Sequence, residues 1–376
     1  MVRVGVMSKP RQHPDDIAYM RHALRLAERG QGNTAPNPAV GCVIVSRDGH
    51  IVGRGWTGVG GRPHAETIAL AQARGLAKGA TAYVTLEPCA HHGKTPPCAD
   101  ALVKAQVARV VGATVDPDSR VSGAGFARLE AAGIEVTRGV LEGQARVLNL
   151  GFFKRLNEGR PLVALKIAQS ADGFAADEKG NSKWVTGARA RAHGHLMRAT
   201  HDAILVGIAT ALADDPALTC RLLGLEARSP LRVVLDSRLR LPPDSQLART
   251  AKDIPVLVFT TATAGGDALT AQGVQIERVS ADCEGRPDIG AVLQALGKRG
   301  LNRVLVEGGP QVHASLLKCN LVDFIHLYRA PLLIGQGGLP AIASLGLADL
   351  GLARRLQLIE RTALDPDVLE SFALAG

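Results

Sequence analysis

Three side chains able to ligate zinc, His64, Cys89 and Cys98, stand far apart in this chain, and any fold that uses them must converge one imidazole and two thiolates on a single point. His64 to Ala77 has a helical pattern, and Thr81 to Leu86 reads as a strand running into Glu87-Pro88-Cys89. Both ligand clusters therefore fall at or near helix starts, where backbone N–H groups and the helix dipole favour thiolate over thiol. Three protein ligands leave the fourth tetrahedral corner open, and water held there loses a proton near neutral pH. Glu66, two residues after His64, is then a proton carrier that does not bind the metal. The competing readings are a structural zinc knuckle or a chance order of buried polar residues. A closed site needs four protein ligands, and this cluster offers three, although His91 or His92 would in principle supply a fourth.

Zinc deaminases usually place the second Cys three residues after the first, whereas here eight residues, 90–97, separate Cys89 from Cys98. The stretch Glu87-Pro88-Cys89-Ala90-His91-His92-Gly93-Lys94-Thr95-Pro96-Pro97-Cys98, with Asn37-Pro38-Ala39-Val40-Gly41 upstream, resembles the bifunctional riboflavin-biosynthesis deaminase/reductase family. The resemblance covers nearly the whole chain. It implies an α/β protein of two parts, a cytidine-deaminase-like layered α/β domain followed by a dihydrofolate-reductase-like α/β domain. It further implies Zn²⁺ on His64, Cys89 and Cys98, proton transfer by Glu66, and substrate contacts from Asn37, His91 and Lys94. His92 is expected to be a solvated loop residue.

At 376 residues the chain is long enough for two domains that each bury a core, expected here as 1–158 and 159–376. The division is placed at Asn157-Glu158-Gly159-Arg160-Pro161, where a polar, Gly- and Pro-containing stretch ends a helical pattern. No long apolar segment suggests a membrane span, and residues 1–12 read as a loose leader rather than a targeting signal. Six cysteines in a chain of this length make no disulfide scaffold, so a reducing, cytoplasmic setting is expected. Cys42, Cys220, Cys283 and Cys319 are read as buried packing.

Residues 1–158 hold 20 Lys and Arg against 13 Asp and Glu, while 159–376 hold 24 against 22, so the positive excess sits in the first part. Nucleic acid is not the expected partner, because aromatics are 3% of the chain and no dense Lys/Arg run occurs. A small phosphorylated pyrimidine accounts for the charge equally well, and a homo-oligomer stays open. The alternative carried forward is a zinc nucleic-acid deaminase with an accessory domain, followed by a zinc-stabilised binding module without turnover.

Helical patterns at Asp15 to Arg29, Gly125 to Ala132 and Leu141 to Asn157 alternate with strands at Val40 to Val45, Ile51 to Trp56, Arg109 to Ala113 and Ile134 to Thr137. That alternation argues for a layered α/β domain. Gly53-Arg54-Gly55-Trp56-Thr57-Gly58 matches a dinucleotide fingerprint literally but opens no helix, so it is read as glycines in a tight loop near the metal pocket.

From Pro161 onward the motifs resemble the reductase half of the same family, which uses NADPH. Lys166-Ile167-Ala168-Gln169-Ser170-Ala171-Asp172-Gly173 reads as a strand into a turn, and Phe174 departs from the basic residue common there in relatives. The resemblance implies cofactor contacts from Ala168, Trp184, Thr210, Asp214 and Ser237, and substrate contacts from Ser182, Arg198, Leu218, Arg221 and Glu307. Arg198 and Arg221 offer forked donors suited to a ribosyl phosphate. Val304 to Glu307 is an apolar strand running into Gly308-Gly309 and a helical pattern from Gln311 to Lys318. That geometry can seat a cofactor pyrophosphate, or it is a plain strand-to-helix turn. The two reactions implied are hydrolytic deamination of a 2,5-diamino-6-(phosphoribosylamino)pyrimidinone and NADPH-dependent reduction of its ribosyl side chain to ribityl.

Overall fold

The computed structural model describes residues 13–91, 96–118 and 122–374. They form two compact units that divide between Phe153 and Lys154. In the first unit the elements run α1 (Pro14–Glu28), β1 (Gly41–Val45), β2 (Ile51–Trp56), α2 (Ala65–Ala73), β3 (Thr81–Val84), α3 (Cys98–Lys104), β4 (Arg109–Gly112), α4 (Ala124–Ala131), β5 (Glu135–Arg138) and α5 (Glu142–Leu148). The division falls inside α6 (Leu150–Glu158), five residues before the boundary expected after residue 158.

The five strands are ordered β2-β1-β3-β4-β5, with β1 antiparallel to β2 and β3 and the last three strands parallel. Alternation along β1 separates two apolar layers, as a period of two requires. Cys42 and Ile44 pack with Ala65, Ala69 and Leu102, while Val43 and Val45 pack with Met20, Ala23 and Ala27 of α1. The result is a sheet covered by helices on both faces.

The expected loop role of Gly53 and Gly55 is corrected by the structure. Both lie within β2, and a Cβ on either would stand 2.2 Å from a carbonyl oxygen of α2, Ala69 O or Ala65 O. They let α2, which carries Glu66, lie directly on the sheet. The expected single helix from Leu141 to Asn157 is also corrected, because it breaks at Asn149 into α5 and α6. The buried Asn149 side chain instead clips the backbone of Ala39, its Oδ1 accepting from the N–H at 2.9 Å and its Nδ2 donating to the carbonyl at 3.0 Å.

In the second unit the elements run β6 (Leu162–Ser170), β7 (Phe174–Ala176), α7 (Ala188–Ala199), β8 (Ala203–Gly207), α8 (Ile208–Asp214), β9 (Leu231–Leu235), α9 (Gln246–Arg249), β10 (Val256–Thr260), α10 (Asp267–Ala271), β11 (Gln275–Arg278), α11 (Ile289–Lys298), β12 (Arg303–Gly308), α12 (Pro310–Lys318), β13 (Phe324–Ala330), β14 (Leu339–Pro340), β15 (Leu356–Leu364) and β16 (Asp367–Leu374). Nine strands form one sheet in the order β11-β10-β9-β8-β12-β6-β13-β16-β15; the last two join antiparallel and the rest are parallel. Strands buried on both faces read as near-continuous apolar runs, as Val256 to Phe259 does. Parallel order brings the carboxyl ends of β6, β8, β9 and β12 to one edge, where ligands of open α/β sheets bind.

Of the four remaining cysteines, Cys42 and Cys220 are buried as expected, whereas Cys283 and Cys319 are exposed. Both exposed thiols lie outside regular structure, where no apolar pattern encloses them. Among the described residues no helix is long and apolar enough to cross a membrane.

Candidate metal centre and cofactor cleft

His64 is the extended residue capping α2, Cys98 is the first residue of α3, and Cys89 lies in the loop after β3. Their ligand atoms all fall within 4.8 Å of one another. His64 Nδ1 is 3.3 Å from Cys98 Sγ and 3.7 Å from Cys89 Sγ. Bond lengths of about 2.1–2.3 Å to zinc imply tetrahedral ligand separations of roughly 3.6–3.8 Å. The donor set, one imidazole nitrogen and two sulfurs, fits zinc, and among the described residues no fourth His, Cys, Asp or Glu joins the cluster. Cys89 itself lies in a loop, near a helix start rather than at one, and its sulfur accepts the backbone N–H of Cys98, the first residue of α3, at 3.3 Å. A hydrogen bond between the two sulfurs holds the Cys89 thiol down to about 4 and pushes the Cys98 thiol up.

Glu66 lies on the first turn of α2 and is 3% exposed, so its carboxyl is enclosed beside the ligands. Burial pushes its pKa up to about 7, and the charge of Cys89 adds to the rise. A carboxyl whose pKa lies near neutrality is able to exchange a proton there.

Glu87 was not singled out from the sequence, yet it fixes the Cys89 loop. Its buried carboxylate accepts backbone N–H groups of Gly125 at 2.8 Å, Gly123 at 2.9 Å, Asp116 at 3.2 Å and Phe126 at 3.4 Å. Gly125 is required here, since a Cβ would stand 1.9 Å from Pro88 O. Glu87→Ala is expected to weaken zinc affinity by roughly 10- to 100-fold, read by competition with a chromogenic chelator, because partners that orient ligands carry effects of that size. Unchanged affinity would remove Glu87 from the centre.

Asn37 is half-buried and its Nδ2 donates to Gly61 O at 3.0 Å, in the loop that delivers His64. His91 is half-buried, and its Nδ1 has no hydrogen-bond partner among the described residues. Lys94 and His92 lie outside the described residues.

In the second unit the carboxyl ends of the parallel strands open into a cleft of about 1460 Å³. All twelve side chains or glycines named for this unit line it: Ala168, Ser182, Trp184, Arg198, Thr210, Asp214, Leu218, Arg221, Ser237, Glu307, Gly308 and Gly309. Cβ atoms at Gly308 and Gly309 would stand 3.1 and 2.9 Å from Thr210 Oγ1, so the Gly pair lets β12 and α8 close on one another there. Gly309 caps α12 with Pro310 as its first residue.

Arg198 differs from its expected use as a free phosphate fork. Its Nε and Nη2 grip Glu307 at 2.6 and 2.9 Å, and Nη1 donates to Thr219 O at 3.0 Å. Arg221 is exposed on the cleft wall and makes no ion pair among the described residues. Lys166 and Arg240 also line the cleft and were not singled out. The Lys166 ammonium stands 3.8 Å from Glu307 and 5.6 Å above the Tyr328 ring. A lysine inside the apolar run of β6 was the readable signal; Arg240, on a polar loop, gave none.

A zinc-ligand cluster on one layered α/β unit and a strand-end cleft on a second define a two-domain enzyme, a zinc deaminase unit followed by a reductase unit. Residues 13–114 match the cytidine and deoxycytidylate deaminase zinc-binding region, and residues 161–369 match the RibD C-terminal domain. The riboflavin biosynthesis protein RibD of Escherichia coli is 42% identical, the match covering 94% of this chain and 98% of that protein; its Bacillus amyloliquefaciens counterpart is 43% identical over 93% and 94%. Among solved structures, Acinetobacter baumannii RibD superposes with a TM-score of 0.86 at 40% identity, covering 96% of this chain and 99% of that one. The Thermotoga maritima diaminohydroxyphosphoribosylaminopyrimidine deaminase/5-amino-6-(5-phosphoribosylamino)uracil reductase gives 0.85 at 36% identity over the same shares. The chain belongs to the RibD family.

Proposed function

We propose that this chain carries out two consecutive steps of riboflavin synthesis, with His64, Cys89, Cys98 and Glu66 serving the first and the cleft of the second unit serving the other. The three-ligand centre beside a buried carboxyl is the observation that carries the reading. Zn²⁺ held by these ligands supplies the Lewis acidity that makes water a nucleophile at neutral pH. Glu66 accepts a proton from the attacking water and returns it to the departing amino group. A C–O bond forms, the C–N bond breaks, and ammonia leaves a 2,5-diamino-6-(phosphoribosylamino)pyrimidinone as the aminouracil. Asn37, His91 and Lys94 orient the pyrimidine. Nucleic acid is disfavoured as substrate, since Trp56 is the one exposed aromatic found in the first unit among the described residues.

In the second step NADPH supplies a hydride to C1′ of the ring-opened ribosylamine. Ala168, Trp184, Thr210, Asp214, Ser237, Gly308 and Gly309 seat the cofactor, and Ser182, Leu218, Arg221 and the Arg198–Glu307 pair line the place of the sugar phosphate. Arg221 takes the phosphate, while Arg198 keeps the Glu307 carboxylate fixed against the cleft. Label transfer tests the step: deuterium from NADPH deuterated at both C4 positions should appear at C1′ of the ribityl product, and product without label would overturn it.

The cofactor's 2′-phosphate belongs at the Ser237 end of the cleft, where Arg240 stands with its Nε 3.7 Å from Asp236. Arg240→Gln is expected to weaken NADPH binding about tenfold by loss of one charge-assisted contact while NADH binding is unchanged, as read by equilibrium titration. Equal weakening of both would place the phosphate elsewhere.

The domain boundary is proposed at the end of α6, between residues 158 and 159, and the setting as cytoplasmic, where two thiolate ligands stay reduced. A homo-oligomer fits the edge strand β15, which leaves Leu356, Leu358 and Ile359 exposed along an unpaired rim.

A further inference from the structure

We propose that His195 is a second ligand for the substrate phosphate in the cleft, and that one proton enters with the phosphate, held between Nε2 of the imidazole and a phosphate oxygen. The inference rests on the reading above that Arg221 takes the phosphate of a ribosyl substrate.

His195 lies on α7 one turn before Arg198, is half-buried, and lines the cleft with Arg198 and Arg221. Thr219 O joins the two α7 side chains: His195 Nδ1 and Arg198 Nη1 each approach it at 3.0 Å. A carbonyl oxygen only accepts, so Nδ1 carries the ring proton; a bare Nδ1 would set two lone pairs against each other at that distance. The backbone N–H of Arg221 stands 3.4 Å from the same nitrogen, too long to decide the tautomer, but it places Arg221 beside the imidazole. A neutral imidazole has a single N–H. Nε2 is therefore a lone pair, and it makes no hydrogen bond among the described residues.

The charged groups that face this ring are Arg198 of its own helix, Arg221 of the loop after α8, and Glu307 of β12. Burial lowers the pKa of His195 first, and Arg198 and Arg221 lower it further, against the opposing pull of Thr219 O and Glu307. Before phosphate arrives the ring is neutral at neutral pH. Glu307 is occupied by Arg198 and, at 3.8 Å, by Lys166 of β6. Arg221 is then the one cation facing the ring that makes no ion pair among the described residues. One guanidinium leaves half the charge of a phosphate dianion unmatched, and the Nε2 lone pair would oppose the phosphate oxygens. A proton taken from solvent removes both costs, turning the opposed lone pairs into a charge-assisted hydrogen bond.

Reductase turnover at saturating NADPH, with the deaminated intermediate supplied directly, reads the cleft alone. Phosphate raises the pKa of the proton that it shares with His195, so affinity is full at low pH and fades as pH rises. In the native chain KM should therefore climb towards about tenfold between pH 7 and pH 8, one proton being taken up per phosphate bound. The same intermediate without its 5′-phosphate should show no such climb. His195→Asn keeps an N–H donor for Thr219 O but has nothing at the Nε2 position. It should raise KM for the phosphorylated intermediate roughly 10- to 100-fold at pH 7, the loss of one hydrogen bond to a charged group, and should not weaken the unphosphorylated one. His195→Gln places an amide N–H near the Nε2 position, a donor that needs no added proton, so it should hold a low KM with the climb abolished. A merely structural His195 would weaken both intermediates alike in His195→Asn, and that result would overturn the proposal; so would a climb that persists in both variants. Native turnover with a KM indifferent to His195 would remove the phosphate contact alone, whereas no NADPH oxidation by the native chain would overturn the reductase reading itself.

Discussion

Glu66→Gln should lose roughly 10²- to 10⁴-fold or more in ammonia release, the range for removing a positioned proton carrier. Zinc content should stay at the native level, because His64, Cys89 and Cys98 complete the cluster without Glu66. The carboxyl is 3% exposed on the first turn of α2, so an amide of the same shape fills the space but carries no proton between water and leaving amine. NADPH oxidation with the deaminated intermediate supplied directly should proceed at the native rate. Loss of both activities at full zinc occupancy would contradict two independent sites.

Arg198→Ala should produce the largest loss of stability among single cleft substitutions. The Glu307 side chain is 8% exposed, and burial alone would raise its pKa. The Arg198 charge, then Lys166, reverse that effect and hold it down to about 2, against 4.5 for an ordinary glutamate. A carboxyl depressed in the folded state stabilises the fold above its unfolded pKa, and that contribution fades as pH falls from about 4.5 towards 2. Its size is on the order of 3 kcal/mol. Removing Arg198 leaves the carboxylate buried without its fork, a change that costs about 3–5 kcal/mol. It also removes the Arg198 Nη1 donor from Thr219 O, leaving that carbonyl, beside Leu218 and Arg221, to His195 Nδ1 at 3.0 Å. Reductase turnover should vanish, the unfolding midpoint in urea should drop, and ammonia release should persist below that midpoint. Native stability in Arg198→Ala would mean that the pair contributes nothing.

Much of this architecture was legible because its signals are local. Apolar runs such as Ala203 to Val206 and Val256 to Phe259 mark strands buried on both faces, and the His64, Cys89 and Cys98 cluster follows from donor chemistry and order. What escaped depends on contacts made across long sequence separations. Asn149 breaks a helical pattern because it bonds to Ala39, and Gly53 and Gly55 serve helix packing because α2 lies on β2. Glu87 looks like an ordinary acid until Gly123, Gly125 and Phe126 present their N–H groups to it. Arg198 reads as a phosphate ligand until Glu307, 109 residues away, takes its fork. No local pattern distinguishes a guanidinium committed to a carboxylate from one left for substrate.

The most direct test of two chemistries in one chain is a single-tube assay of zinc-loaded protein with freshly generated diaminopyrimidine ribosyl phosphate and NADPH, following ammonia and the fall in NADPH absorbance together. Two linked steps predict ammonia first, then one NADPH consumed for each ammonia released. Ammonia without NADPH consumption would contradict the cleft assignment, and NADPH consumption without ammonia would contradict the metal centre.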